Sequence, residues 1–270
     1  MKVIYEPKGR AKEYAPLACN IYLGCEHACK YCFAPSCMRK KPEEYHKEVK
    51  TRSKTFLADF QDDCDKLGCK GDDRRILFSF LSDPYQPIEA EMCLTQSALM
   101  VALGLGAKID ILTKGKYDLV SRDFHLMKQG KVRLGVSLCF INDESRKEWE
   151  PNASSVEDRI KILEEAHKQG IETWISIEPV IYPKEALEVI KRLKGSVDLW
   201  KVGKLYHHKE IEKKVDWHKF LCDAVSLLWD ESRVIKRDLW IAAAEGKPIE
   251  TPIEAKRDFY PMPVSNLRKG

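Results

Sequence analysis

Six short apolar runs, most of them followed by a longer amphipathic stretch, constrain this 270-residue chain more than any other feature. They are 16–23 (PLACNIYL), 75–81 (RILFSFL), 107–113 (AKIDILT), 131–140 (KVRLGVSLCF), 171–180 (IETWISIEPV) and 197–205 (VDLWKVGKL). Runs this short, continuous and β-branched suit strands covered on both faces. Helical patterns occupy 88–106, 116–130, 155–170 and 183–195. All four end in Gly, the last begins at Pro183, and Ser154 or Ser155 is placed to cap the third. Alternating elements of this kind predict a parallel sheet with right-handed crossovers. Six units predict a partial (β/α)6, TIM-like barrel over residues 1–205. Residues 206–270 read as a C-terminal extension, a further helix and an irregular tail packed on that core. No linker, repeat or low-complexity tract interrupts the chain, so a single domain is expected.

The pattern also limits where such a chain works. The first ten residues, MKVIYEPKGR, lack the apolar stretch of a secretory signal. No run of about 18 apolar residues is present, so no membrane span is expected. Ten cysteines without such a signal point to a reducing cytoplasm, where thiols serve as ligands or small core groups. The net charge of +4 by itself neither favours nor excludes a polyanionic partner.

Three of the ten thiols sit within eight positions, in CEHACKYC (25–32). The spacing C-x3-C-x2-C lets Cys25, Cys29 and Cys32 hold three corners of an iron–sulfur cube and leaves one iron open to a substrate or cofactor. That is the arrangement S-adenosylmethionine (SAM) chemistry requires. A structural zinc site is the rival; it needs a fourth ligand, for which His27 and Cys37 are candidates. Cys64 and Cys69 form a separate C-x4-C in the polar stretch DDCDKLGCKGDD, too few ligands for a site of their own.

Parallel α/β folds place their chemistry at the C-terminal ends of strands. Here CEHACKYC follows the first predicted strand, SDPYQP the second and TKGK the third, Ser137 ends the fourth, and Glu178 comes at the end of the fifth. Polar residues from successive units therefore converge on one mouth.

With Tyr31 before the third cysteine, the full motif resembles that of the radical SAM superfamily. NIYLGCEHACKYCFAP is similar to the subgroup that includes spore photoproduct lyase and the DNA repair photolyase-like proteins. The resemblance runs from about residue 1 to 205 and implies a [4Fe–4S] cluster on Cys25, Cys29 and Cys32. It implies that Ser82 and Asp83 meet the SAM amino group and Lys114 the SAM carboxylate. Ser137 would bind the SAM ribose, with Arg159 reaching the same ligand or standing as a surface arginine. Tyr31 and Phe33 would pack on adenine and cluster, and Glu178 would contact ligand or substrate, with Glu150 a weaker candidate. An electron donor such as flavodoxin or ferredoxin is implied as partner.

The chain departs from that subgroup at one point. The lyase carries a hydrogen-donating cysteine just before its Ser-Asp pair, and here Phe80 and Leu81 stand there. Two thiols could substitute, or stand as a plain core and a plain surface cysteine: Cys139, two residues beyond Ser137 and hence on the same strand face, and Cys37, just beyond the cysteine loop. A nucleic acid or nucleotide is the expected substrate, from the resemblance and from the basic stretch 38–54, which carries seven Lys or Arg against three Glu. Tail residues Lys256, Arg257, Arg268 and Lys269 add weakly to it. Two alternatives stay open: a peptide or small-molecule substrate, and a non-catalytic metal-binding interaction module.

Overall fold

The computed structural model describes residues 2–68, 71–129 and 132–244. Among the described residues ten strands occur in chain order: β1 (Ile4–Tyr5), β2 (Leu17–Cys19), β3 (Tyr22–Leu23), β4 (Lys50–Thr51), β5 (Arg75–Phe78), β6 (Lys108–Thr113), β7 (Val132–Ser137), β8 (Glu172–Val180), β9 (Leu199–Lys204) and β10 (Arg233–Ile235). Eight of them form one sheet in the order β1-β2-β5-β6-β7-β8-β9-β10, and β3 and β4 form a small antiparallel pair. Every pairing in the large sheet is parallel except β1 with β2. The fold is thus mixed α/β with a mostly parallel sheet whose strands follow chain order.

Register separates the two faces. Leu112, Gly135, Trp174 and Leu199 are aligned across β6 to β9, and Ser137, Ser176 and Lys201 form the next level. Trp174 clusters with Ala15, Ala18 and Leu77, so β8 packs against residues of β2 and β5 although two or more strands lie between. The sheet therefore curls, with these residues on its concave side. The opposite face, with Ile111, Leu134, Ile175 and Trp200, is buried in the main core under helices such as Val156–Lys168 and Pro183–Leu193. Burying this face supplies most of the driving force, at about 25 cal/mol per Å² of apolar surface.

Several expectations are corrected. The run 16–23 is two strands, because Asn20 leaves the sheet: its Oδ1 accepts from the backbone N–H groups of Phe80 and Leu81, and its Nδ2 donates to Tyr5. The same contacts end β5 at Phe78. The helix expected over 88–106 is broken at Cys93, which has φ +48°, into Glu89–Met92 and Leu94–Gly104. The polar stretch around Cys64 is the end of a helix, Phe56–Leu67, with Cys64 buried; Cys69 lies outside the described residues. Asp63 of that helix accepts from the backbone of Val3 and Ile4 at 2.6 and 3.0 Å and so anchors β1. The extension after residue 205 adds a strand to the core sheet, since β10 pairs with β9. The tail cations Lys256, Arg257, Arg268 and Lys269 lie outside the described residues. Among the described residues no helix is long and apolar enough to cross a membrane.

Candidate functional site

The loop carrying the three cysteines leaves β3 through Gly24, which has φ +83°. A Cβ there would lie 2.6 Å from the Glu48 carbonyl oxygen, so only glycine lets the loop pass so close to the segment before β4. Within the loop, Cys32 N–H donates to the Cys29 carbonyl at 3.0 Å. Burial pushes all three thiols up, the Cys29 thiol to about 12. After burial, the charge of Asp83 raises Cys25, which also lies within electrostatic reach of Cys29 and Cys32, and Cys29 within reach of Cys32. Lys114 pulls Cys29 and Cys32 back down. Among the described residues no group of three His, Cys, Asp or Glu side chains stands arranged to hold a metal ion. The three thiols share one loop without being drawn into a ready-made cage.

Asp83 faces this loop but is committed to the protein. Its Oδ1 accepts from Tyr85 N–H (2.8 Å) and Thr113 Oγ1 (2.6 Å). Its Oδ2 accepts from Lys114 N–H (2.6 Å) and lies 3.2 Å from His27 Nε2. Burial opposes ionisation, yet His27, Thr113 and the Lys114 amide together hold the carboxyl down at about 2. Asp83 thus joins the β5 and β6 loops and approaches His27, beside the role expected of it. His27 is correspondingly taken away from the thiols, which weakens it as a fourth zinc ligand. Ser82 fits its expectation better: its buried Oγ has no hydrogen-bond partner among the described residues.

Lys114 continues β6 towards the loop. Its Nζ lies 5.7 Å from the centre of the Tyr31 ring, and among the described residues no carboxylate pairs with it directly. Burial disfavours its charge, but Cys29 and Glu150 more than offset this and raise it. Glu150 proves central rather than marginal. It is fully buried, pairs with Arg159 at 2.5 Å and accepts from the Tyr31 hydroxyl. Arg159 is fully buried, which excludes a surface role; it donates to the carbonyls of Ser137 (3.0 Å) and Ser154 (2.9 Å) and so fixes the end of β7. Phe33, by contrast, is 48% exposed.

On the concave side, Ser137 and Ser176 are level with each other, and Cys139 is buried beyond them. Burial pushes the Cys139 thiol well up; Glu150, Lys114 and Glu178 are its next electrostatic neighbours. Glu178 points into the same space. Lys236 donates to both its oxygens, at 3.2 and 2.9 Å, and Tyr14 donates to Oε2 while lying 2.9 Å from Ser176 Oγ. Gly203 makes room for this pair, since a Cβ there would lie 2.7 Å from Glu178 Cδ. Lys201 donates to the Tyr14 carbonyl at 2.7 Å beneath it, and burial lowers its ammonium to about 8. Tyr14 and Lys236 carried no signal in the sequence, since neither belongs to a motif and each acts across the chain.

No family model matches the chain. It is 32% identical over 164 residues to an uncharacterized protein of Methanocaldococcus jannaschii, covering 60% of this chain and 59% of that one, so it spans less than two thirds of that relative. A radical SAM Nalpha-GlyT isomerase of Pseudomonas phage M6 is 26% identical over 173 residues, 58% of this chain and 31% of the phage protein. Among solved structures, a point mutant of spore photoproduct lyase matches with a TM-score of 0.62 at 15% identity, over 86% of this chain and 79% of that one. SuiB of Streptococcus suis, solved bound to S-adenosylmethionine, matches at 0.56 and 15%, over 84% and 48%. At these identities the likeness to solved structures is one of fold.

Proposed function

We propose that this chain is a radical SAM enzyme of the spore photoproduct lyase-like kind, built on a partial (β/α)6 barrel. The observation that carries the proposal is the convergence of the three-thiol loop with Lys114, Ser82, Ser137 and Cys139 at the strand ends on one side of a curled parallel sheet. A structural metal site has no need of polar groups from four successive units. The likeness in fold to spore photoproduct lyase and SuiB, and the relative named as a radical SAM isomerase, support it.

In its chemistry the donor set fits a [4Fe–4S] cluster on Cys25, Cys29 and Cys32: three thiols on one loop, a neighbouring lysine without a direct counter-anion among the described residues, and a buried hydroxyl without a partner. Held there, such a cluster would supply the electron for reductive cleavage of SAM, the chemistry that makes hydrogen-atom abstraction from a substrate possible. The remaining work belongs to the protein's own side chains. Lys114 offers its ammonium to the SAM carboxylate. Ser82 and Ser137 offer hydroxyls to the SAM amino group and ribose. Arg159 holds the end of β7 through the Ser137 carbonyl, and Glu150 holds Arg159 and the Tyr31 hydroxyl. The partly buried ring of Tyr31 and the exposed one of Phe33 border the loop, where they would limit the access of water to a reactive intermediate. Cys139 and Glu178 face the substrate's side of the cavity, Cys139 as the thiol nearest to a hydrogen donor's position. A nucleic acid or nucleotide is the substrate class we favour, from the basic stretch beside the loop.

The test is anaerobic reconstitution with iron and sulfide, then dithionite and SAM, with 5′-deoxyadenosine quantified for wild type and Cys29→Ala. Wild type should form it and the variant should show a loss of at least about 100-fold, as expected when a catalytic centre rather than a supporting contact is removed. A wild-type protein with a full cluster that does not bind SAM would sink the proposal.

A further inference from the structure

Outside the cysteine loop the described thiols have different surroundings. Cys19, Cys64 and Cys139 are buried, and Cys37 is exposed. Cys93 lies 3.5 Å from the Arg122 guanidinium, a group that cannot take up a proton. Cys222 is the one described cysteine whose sulfur faces an imidazole nitrogen. It lies on the helix Trp217–Leu227, four residues after His218, and its Sγ is 3.7 Å from His218 Nε2. Both side chains are half-buried, which leaves them within reach of solvent.

The other ring nitrogen decides the roles. His218 Nδ1 is 3.2 Å from the Ala243 carbonyl oxygen, which can only accept, so Nδ1 carries the proton. In the neutral ring Nε2 then holds a lone pair aimed at the Cys222 thiol. A thiol, a base beside it and a third group that orients the base make up the arrangement that activates a sulfur nucleophile. Lys219, which pairs with Asp223 at 2.9 Å, is also within electrostatic reach of Cys222 and adds a positive charge to the cluster. None of these groups belongs to the cavity of the reaction proposed above.

We propose that Cys222 is a modification site at which His218 activates the thiol towards low-molecular-weight disulfides. The step is an exchange. The Cys222 proton passes to His218 Nε2, and the sulfur attacks one sulfur of the disulfide. A new S–S bond to Cys222 forms as the old S–S bond breaks, and the departing thiolate takes the proton from His218. Cys222 is oxidised and the departing half of the disulfide is reduced, so no other oxidant is needed. Ala243 belongs to the helix Arg237–Ala244, which packs on β9 and follows directly on Lys236. The modified sulfur therefore sits beside the element that continues from the Glu178–Lys236 pair.

The experiment uses the reduced full-length chain and oxidised glutathione. Mass spectrometry of cysteine-containing peptides follows the mixed disulfide at each position over time. Wild type is compared with His218→Ala, with and without added imidazole, and circular dichroism checks the fold of the variant. In wild type, Cys222 should react about 10-fold or more faster than the more exposed Cys37. His218→Ala should lose that lead, and free imidazole should restore part of it at Cys222 while leaving Cys37 unchanged. A purely structural histidine would give no such rescue. Cys222 reacting no faster than Cys37 in wild type overturns the proposal. So does a folded His218→Ala protein that keeps the wild-type rate, or one that imidazole does not rescue. If the variant does not fold, the wild-type comparison of Cys222 with Cys37 decides alone.

Discussion

Asp83 shows how a residue of a motif can also serve the fold. Both its oxygens accept from the protein, and its carboxyl is held at about 2 against an ordinary 3.8. A folded-state pKa below the unfolded one stabilises the fold above the unfolded pKa, and that stability is lost as pH falls through the folded one. The shift corresponds to about 2 kcal/mol at 1.36 kcal/mol per unit. Between pH 4 and 2, wild type should therefore lose about 2 kcal/mol more than Asp83→Asn in urea unfolding; parallel loss in both proteins would contradict this. Cys25, Cys29, Cys32, Ser82, Lys114 and Ser137 could be proposed from the sequence because each sits in a motif or at a strand end. Tyr14 and Glu178 meet across 164 positions, and Lys236 reaches Glu178 across 58, and no local pattern encodes such contacts. The weight of Glu150 was likewise hidden, because its burial depends on Arg159 arriving from the next helix.

At the scale of elements, β5, β6, β7, β8 and β9 were readable because they are apolar over several residues, and their observed bounds fall inside the expected ones. β1, β3, β4 and β10 escaped because two or three residues show no period. The helix over 155–170 was legible to its cap: Ser155 accepts from Asp158 N–H at 3.0 Å. The break at Cys93 was not, since nothing in LTQSALMVALG separates a broken helix from a continuous one. Within β7, Gly135 has a specific task. A Cβ there would lie 2.1 Å from the Trp174 ring and 2.6 Å from the Ile111 carbonyl. Gly135→Ala should therefore cost about 1–3 kcal/mol by overpacking, read as a lowered thermal midpoint. A midpoint equal to wild type's would mean that β7 and β8 yield more readily than their register implies.

For the whole molecule, parallel order was predictable from the alternation of elements, but the partnership of the chain's two ends was not. The N-terminal segment crosses the concave side, where Tyr14 meets Lys201 and Glu178, and the last strand delivers Lys236 to the same point. A chain ending at Leu205 loses β10, the Glu178–Lys236 pair and the helix Arg237–Ala244 that packs on β9. It should not unfold cooperatively when followed by circular dichroism; a sharp transition near that of the full chain would show that the first 205 residues fold alone.

That meeting of ends also sets a clock for biosynthesis. Cys32 is joined some two hundred residues before Lys236, and at about 5–20 residues per second the ribosome takes roughly 10–40 s to cover that span. For that time the three thiols exist in a chain that cannot finish the cavity meant to shelter them. Their exposure to oxidants is then governed by the pace of translation, before the stability of the finished protein has any say.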